Sequence, residues 1–338
     1  MMIYSTDNNC YDVGGIVAVC KQSAAVTTLK FAHYHRLKPK MDLTEDPLQL
    51  VPWTKMAELS NKLLSDVPYS LSVYGAVQQA LRWKETDNAQ RMMIYSTDNN
   101  CYEVGGIVVV CKQSDSIDRW HRIFLHSFDE DMKNLQNALL TTKRFSWISS
   151  ETMILFAALA EKLMPLVENF VSQYKFEVRG NNKTIYKWRM PEQLGFGDIR
   201  CPPEVRLAPL GLGSLEQIRS NWLDSEGATE YLATLIKHNP TMGVYLRSSG
   251  ELCAWVFFSE FCTLTALHTM EQHRRKGYAQ LVIKAICERL LSEGFLVGAT
   301  VFEHNIASLK LFDSLQFRSS RDIFHYVEAL PLTQEPYV

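Results

Sequence analysis

A chain of 338 residues, 46% hydrophobic and 21% charged, has the composition of a globular protein with room for two cores of ordinary domain size. Its net charge of −2, with no long basic block, argues against bulk nucleic-acid binding. The longest apolar run, Met153 to Ala160, stops at Glu161-Lys162, far too short to span a bilayer, and reads as part of a buried helix.

The first element repeats later in the chain. Residues 1–23 reappear as residues 92–114, with only Asp12/Glu103 and Ala18/Val109 differing. One unit reads as a hairpin: Met92 to Thr97, a turn at Asp98-Asn99-Asn100, and Ile107 to Cys111 as the return strand. Nothing else recurs at that period, so the repeat is no solenoid. Residues 1–40 read as a duplicated extension or a gene-model artefact, with Met41 as the start. The alternative is an extra edge hairpin that mediates dimerisation. Asp7 and Asp12 interrupt any secretory core, and no arginine precedes Arg36 as a transit peptide would require.

Residues 41–190 read as an α/β domain. Its expected elements are helices Thr54–Leu64 and Val73–Lys84, the hairpin, strand Arg122–Ser127, and helices Met132–Leu140 and Ser150–Ser172. Pro191 to Pro209 reads as a linker, or as the first loop and strand of a second domain over residues 200–330. Ser214 to Gln217 has the capping-box pattern of a helix start. Helix Tyr231–His238 follows, then strands Gly243–Arg247, Cys253–Phe258 and Leu264–Thr269. The eight cysteines lie mainly on these apolar elements without paired metal-ligand spacing, so they read as reduced core residues of an intracellular protein and no metal site is expected.

Arg274-Arg275-Lys276-Gly277-Tyr278-Ala279 joins the last of these strands to an amphipathic helix, Tyr278 to Leu291. A basic, glycine-broken turn at a helix start aims several backbone N–H groups at one spot, where the helix dipole also favours a phosphate. Gly277 permits the positive φ or close approach that a side chain would block. A second apolar stretch, Phe295 to Phe302, is followed by Glu303-His304-Asn305-Ile306-Ala307-Ser308 and a helix from Ile306 to Asp313.

Together these segments resemble the GCN5-related N-acetyltransferase superfamily, which transfers acyl groups from acyl-coenzyme A to amines. The resemblance implies a mixed α/β fold with a splayed sheet flanked by helices, and an N-terminal α/β domain of related type. It implies that backbone amides of Arg274, Arg275, Lys276, Gly277, Tyr278 and Ala279 wrap the coenzyme A pyrophosphate. It further implies that Leu267, His268 and Thr269 run beside the pantetheine arm, and that Asn305, Ser308 and Phe312 lie against the cofactor. Asn305 has a plain alternative as the N-cap of the following helix, and both roles can hold.

Asn239 to Tyr245, Gly250 to Val256 and His273 to Tyr278 are similar to the glycine N-acyltransferase-like branch, insect members especially, as is Val73 to Lys84 upstream. Vertebrate members of that branch use a glutamate as base where this chain has Thr263. Many superfamily members also carry a tyrosine, able to protonate the leaving thiolate, where this chain has Phe312, which has no proton to give. The base must then come from elsewhere, and Glu260, His268, Glu271 and Glu303 are the candidates near strand ends. A small amine or amino acid is the expected acceptor, with no nucleic-acid or membrane partner. A catalytically silent acyl-coenzyme A binder and a protein or peptide N-acetyltransferase are the alternatives.

Overall fold

The computed structural model describes residues 45–98, 102–112, 120–145, 147, 153–193, 195–222 and 228–332. The calls on residues 1–40 lie outside these residues. Twelve strands form one sheet: β1 (Gln49–Leu50), β2 (Met92–Ser96), β3 (Gly106–Lys112), β4 (Trp120–Ser127), β5 (Met153–Ala160), β6 (Phe176–Arg189), β7 (Val205–Ala208), β8 (Thr241–Leu246), β9 (Leu252–Phe258), β10 (Thr263–Thr269), β11 (Val297–Phe302) and β12 (Arg318–Pro331). Among the described residues, eight α-helices flank it: α1 (Met56–Leu64), α2 (Leu71–Trp83), α3 (Lys133–Thr141), α4 (Met164–Gln173), α5 (Leu215–Ser220), α6 (Ala228–His238), α7 (Tyr278–Ser292) and α8 (Ile306–Ser314).

The sheet order is β1-β2-β3-β4-β5-β12-β6-β11-β10-β9-β8-β7. Among the described strands, only β4–β5 and β10–β11 run parallel. One sheet runs through both expected domains. β6 leaves the N-terminal flank to pair with β11 along Thr184 to Arg189, and β12 returns to pair with β5. Each flank owes its inner edge to a strand from the other.

Val297, Ala299 and Val301 of β11 meet α7 through Val282, Ile283 and Ile286 in one core. A second core packs Trp255 and Phe257 of β9 against Ile218 of α5 and Tyr231, Leu232 and Leu235 of α6. The two layers lie on opposite faces of the same strands, as period-two alternation requires. The N-terminal core is larger, taking in Leu71, Val73, Ala76, Val77 and Ala80 of α2 with the apolar strands β3 and β5.

Three expectations need correction. Met153 to Ala160 is a strand, not the start of a helix; a 3-10 turn at Glu161–Leu163 leads into the α-helix Met164–Gln173. The run Met-Ile-Leu-Phe-Ala-Ala-Leu-Ala has no polar face because β4 and β12 flank it and both faces are covered. Ser214 does not cap α5: it ends a short 3-10 turn in helical geometry with no side-chain bond to the backbone. Gln217 instead donates to the carbonyl of Leu252, 2.9 Å away. β6 was not expected at all, because its first half, Glu177 to Lys183, is largely exposed and polar.

Candidate functional site

The parallel ladder between β10 and β11 holds for only two pairs, Thr263 with Gly298 and Leu264 with Ala299. The cause lies in β10. Between Thr265 and His268 it carries one more residue than β9 opposite, and Ala266 sits at φ +52°. Such a bulge bends a strand and ends its pairing. Past it, β10 runs on to Thr269 and β11 to Phe302 without further pairing, leaving a wedge between the unpaired carboxyl ends of the two strands. Leu267 faces the α7 core, while His268 stacks on Trp255 on the opposite face, ring centres 4.7 Å apart. The hydroxyl of Thr269 is buried without a hydrogen-bond partner.

At the end of β10 the chain makes a tight basic turn into α7. Gly277 is at φ +78° and Arg275 at φ +64°. A Cβ on Gly277 would meet nothing within 4 Å, so the glycine serves the left-handed backbone and not a close contact. No side chain caps α7, so its first-turn N–H groups face outward beside exposed Arg275 and Lys276 and half-buried Arg274. The turn is braced from beneath by Glu251, which accepts from His273 Nε2 at 2.9 Å and Gln272 Nε2 at 3.1 Å. Lys276 Nζ lies 3.3 Å from His273 Nδ1, on the other side of the ring. The bonds from His273 and Gln272 hold the Glu251 carboxyl below its ordinary range.

Beyond β11, Asn305 is the N-cap of α8, its side-chain oxygen accepting from the Ser308 N–H at 3.1 Å. Ser308 is buried behind it. β6 pins the far end of this helix: Lys187 Nζ reaches Asp313 at 2.5 Å, and Arg189 Nη1 donates to the Leu315 carbonyl at 2.9 Å. Phe312 is wholly buried against Phe317 in the α7 core, so it offers packing and not chemistry.

The four base candidates part company. His268 stands beside the wedge; burial, with Arg274 nearby, pushes its pKa down to about 4, so it is neutral at ordinary pH, with one ring nitrogen carrying a proton and the other able to accept one. Glu303 is exposed just after β11, and Glu271 is exposed in the 3-10 turn after β10. Glu260 lies at the opposite end of β10, 1% exposed, with both carboxylate oxygens engaged. Arg122 Nη1 donates to Oε1 and the Tyr231 hydroxyl donates to Oε2 at 2.7 Å. Burial alone would lower the Arg122 pKa; Glu260 and then Tyr231 reverse this and raise it. Glu260 thus serves the seam between β4 and the β9–β10 turn. Thr263 is also remote from the wedge, its hydroxyl 2.7 Å from that of Ser259.

Sequence reasoning missed Arg122 and the β6 cations Lys187 and Arg189. A charged residue inside an otherwise apolar strand was the available signal, and each is under 5% exposed. Among the described residues no cluster of three His, Cys, Asp or Glu is placed to hold a metal, and no helix is long and apolar enough to cross a membrane.

Residues 241–325, from β8 into β12, match the protein family described as FR47-like protein. A Drosophila protein of known crystal structure superposes with a TM-score of 0.73 at 17% identity, over 85% of this chain and 99% of that one. A tandem GNAT protein from the clavulanic acid biosynthesis pathway gives 0.48 at 11% identity, over 85% and 100%. A GCN5-related N-acetyltransferase from Kribbella flavida gives 0.46 at 14%, over 68% and 88%. The chain has a mixed α/β fold shared with the Drosophila protein, and its C-terminal part matches the FR47-like family.

Proposed function

We propose that the protein is an acyl-coenzyme A-dependent N-acyltransferase, working at the β10–β11 wedge on a small amine or amino acid, in the manner of the glycine N-acyltransferase-like branch. The observation that carries this reading is one continuous surface: a bulged strand, an open wedge, then a cationic turn on an uncapped helix. The donor set suits a pyrophosphate, with N–H groups from the Arg274–Ala279 segment and three basic side chains. The unpaired Thr269 hydroxyl and the strand end from Leu267 suit the amides of a pantetheine arm. Bound there, acyl-coenzyme A supplies a thioester carbonyl to be attacked.

The chain's own groups then have limited, definable work. Neutral His268, on the face opposite α7, takes up the proton that the acceptor amine sheds as its C–N bond to the thioester carbon forms and that nitrogen becomes acidic. A backbone N–H at the bulge near Leu267 stabilises the developing oxyanion. With phenylalanine at position 312, no tyrosine there protonates the departing thiolate, whose modest pKa lets it leave unaided. The burial of Phe312 also favours a second reading, a silent acyl-coenzyme A binder.

Free-thiol release from acetyl-, butyryl- and benzoyl-coenzyme A against a panel of amines and amino acids separates the two. Acceptor-dependent release, lost in Gly277→Trp and reduced about 100-fold in His268→Gln, is the expected result. Binding without release from any pair would make the protein a silent binder. Release undiminished in His268→Gln would remove His268 as base.

A further inference from the structure

The strand order is a palindrome: β1 to β5 on one flank are matched by β7 to β11 on the other, with β6 and β12 side by side at the centre. Every strand corresponds to the one six later. Parallel β4–β5 answers parallel β10–β11, and all other neighbours are antiparallel on both flanks. Helices fall at the same places, α1 and α2 before β2 as α5 and α6 before β8, then α3 and α4 answering α7 and α8. The two halves repeat one topology, with their last strands exchanged.

The correspondence reaches single residues. Leu125-His126-Ser127 ends β4 and Leu267-His268-Thr269 ends β10. The next N–H in each case, from Phe128 or Met270, donates to the carbonyl of Gly105 or Cys253, at 2.8 and 2.9 Å. Both parallel ladders end at matching pairs, Ile123 with Phe156 and Leu264 with Ala299. Both following helices open on a left-handed residue, Met132 at φ +54° and Gly277 at φ +78°. The N-terminal half thus has its own wedge at the ends of β4 and β5.

That wedge differs from its counterpart in three respects. β4 pairs with β3 without any register shift, so no bulge turns a backbone N–H inward. Asp129, Glu130 and Asp131 precede Met132 where Arg274, Arg275 and Lys276 precede Gly277. Asp131 already accepts from the Lys133 N–H at 3.1 Å, so a carboxylate occupies the helix start. His126 is fully buried where His268 is half-exposed, with Asp66 3.5 Å away and the ring of Phe128 edge-on at 4.7 Å. The Asp66–Tyr69 loop is tied down by Lys162 to Asp66 at 3.4 Å and by the Tyr69 hydroxyl to Asp322 at 2.5 Å.

We propose that the N-terminal wedge is a second site of the same design, closed to anionic ligand, so that each chain binds one acyl-coenzyme A and not two. This rests on the function proposed for the β10–β11 wedge. Three carboxylates and a filled helix start repel the pyrophosphate that the cationic turn attracts. The N-terminal half instead serves the open site by lending β6, whose Lys187 and Arg189 fix α8.

Calorimetric titration of the full chain with coenzyme A tests this. One equivalent bound by the wild type, and none by Gly277→Trp, is the expected result. Arg275→Glu with Lys276→Glu, both on exposed side chains, repeats the test should the tryptophan variant fail to fold; their binding should fall at least 100-fold. Two equivalents in the wild type, or one surviving in either variant, would overturn the closed-wedge proposal while leaving a coenzyme A-binding function intact. No binding to the folded wild type would instead remove the functional reading, and this proposal with it.

Discussion

Gly277 separates two reasons for conserving backbone freedom. Open space surrounds its missing side chain, so only the left-handed φ disfavours a larger residue. Gly277→Ala should therefore cost about 1 kcal/mol of stability, measured by denaturant unfolding, while coenzyme A affinity falls as the turn relaxes. A loss well above about 2 kcal/mol would mean the side chain collides with something after all. The basic turn was readable because its residue types and position before a helix carry the physics locally. Its brace was not: Glu251 lies in the β8–β9 turn, and nothing in its own neighbourhood marks it as a partner of His273. Phe312 was readable as lacking a proton donor, yet only the fold shows it embedded against Phe317.

At the level of elements, amphipathic helices such as α2 and α7 were legible from their spacing, because one face of each meets a core. β5 was not, since a strand covered on both faces has no period to read. β6 failed for the opposite reason: its exposed half looks like a loop, and its buried half hides two cations. The seam between β4 and the β9–β10 turn shows the same limit, as Arg122 and Glu260 are 138 residues apart. Both side chains are 2% exposed. Removing one partner leaves the other charge buried, so Glu260→Ala should destabilise by about 3–5 kcal/mol. Any folded fraction should keep its thiol-release activity, because Glu260 lies away from the wedge. Intact stability with abolished activity would restore Glu260 as a catalytic residue.

Across the whole molecule, the exchanged strands make the halves interdependent, a property no local pattern carries. Their shared sheet also contains a charge-sensitive point. His126 faces Asp66, Lys162, the Tyr69 backbone and Phe128, and burial pushes its pKa down to about 4. The unfolded chain takes up that proton near pH 6.5, so stability is retained above this pH and lost as pH falls toward 4. The loss, read from urea unfolding at successive pH values, should grow steadily as pH falls below 6.5. A flat profile from pH 6.5 to 4 would show that His126 is protonated in the folded state.

The central claim is that the wedge beyond the β10 bulge and the cationic turn of α7 form one acyl-coenzyme A site. A crystal structure of the full chain with bound coenzyme A addresses it most directly. The account predicts pyrophosphate density against the amides of the Arg274–Ala279 turn, and a pantetheine arm leading between β10 and β11. Coenzyme A seated between β4 and β5, or anywhere that leaves this turn empty, would contradict it.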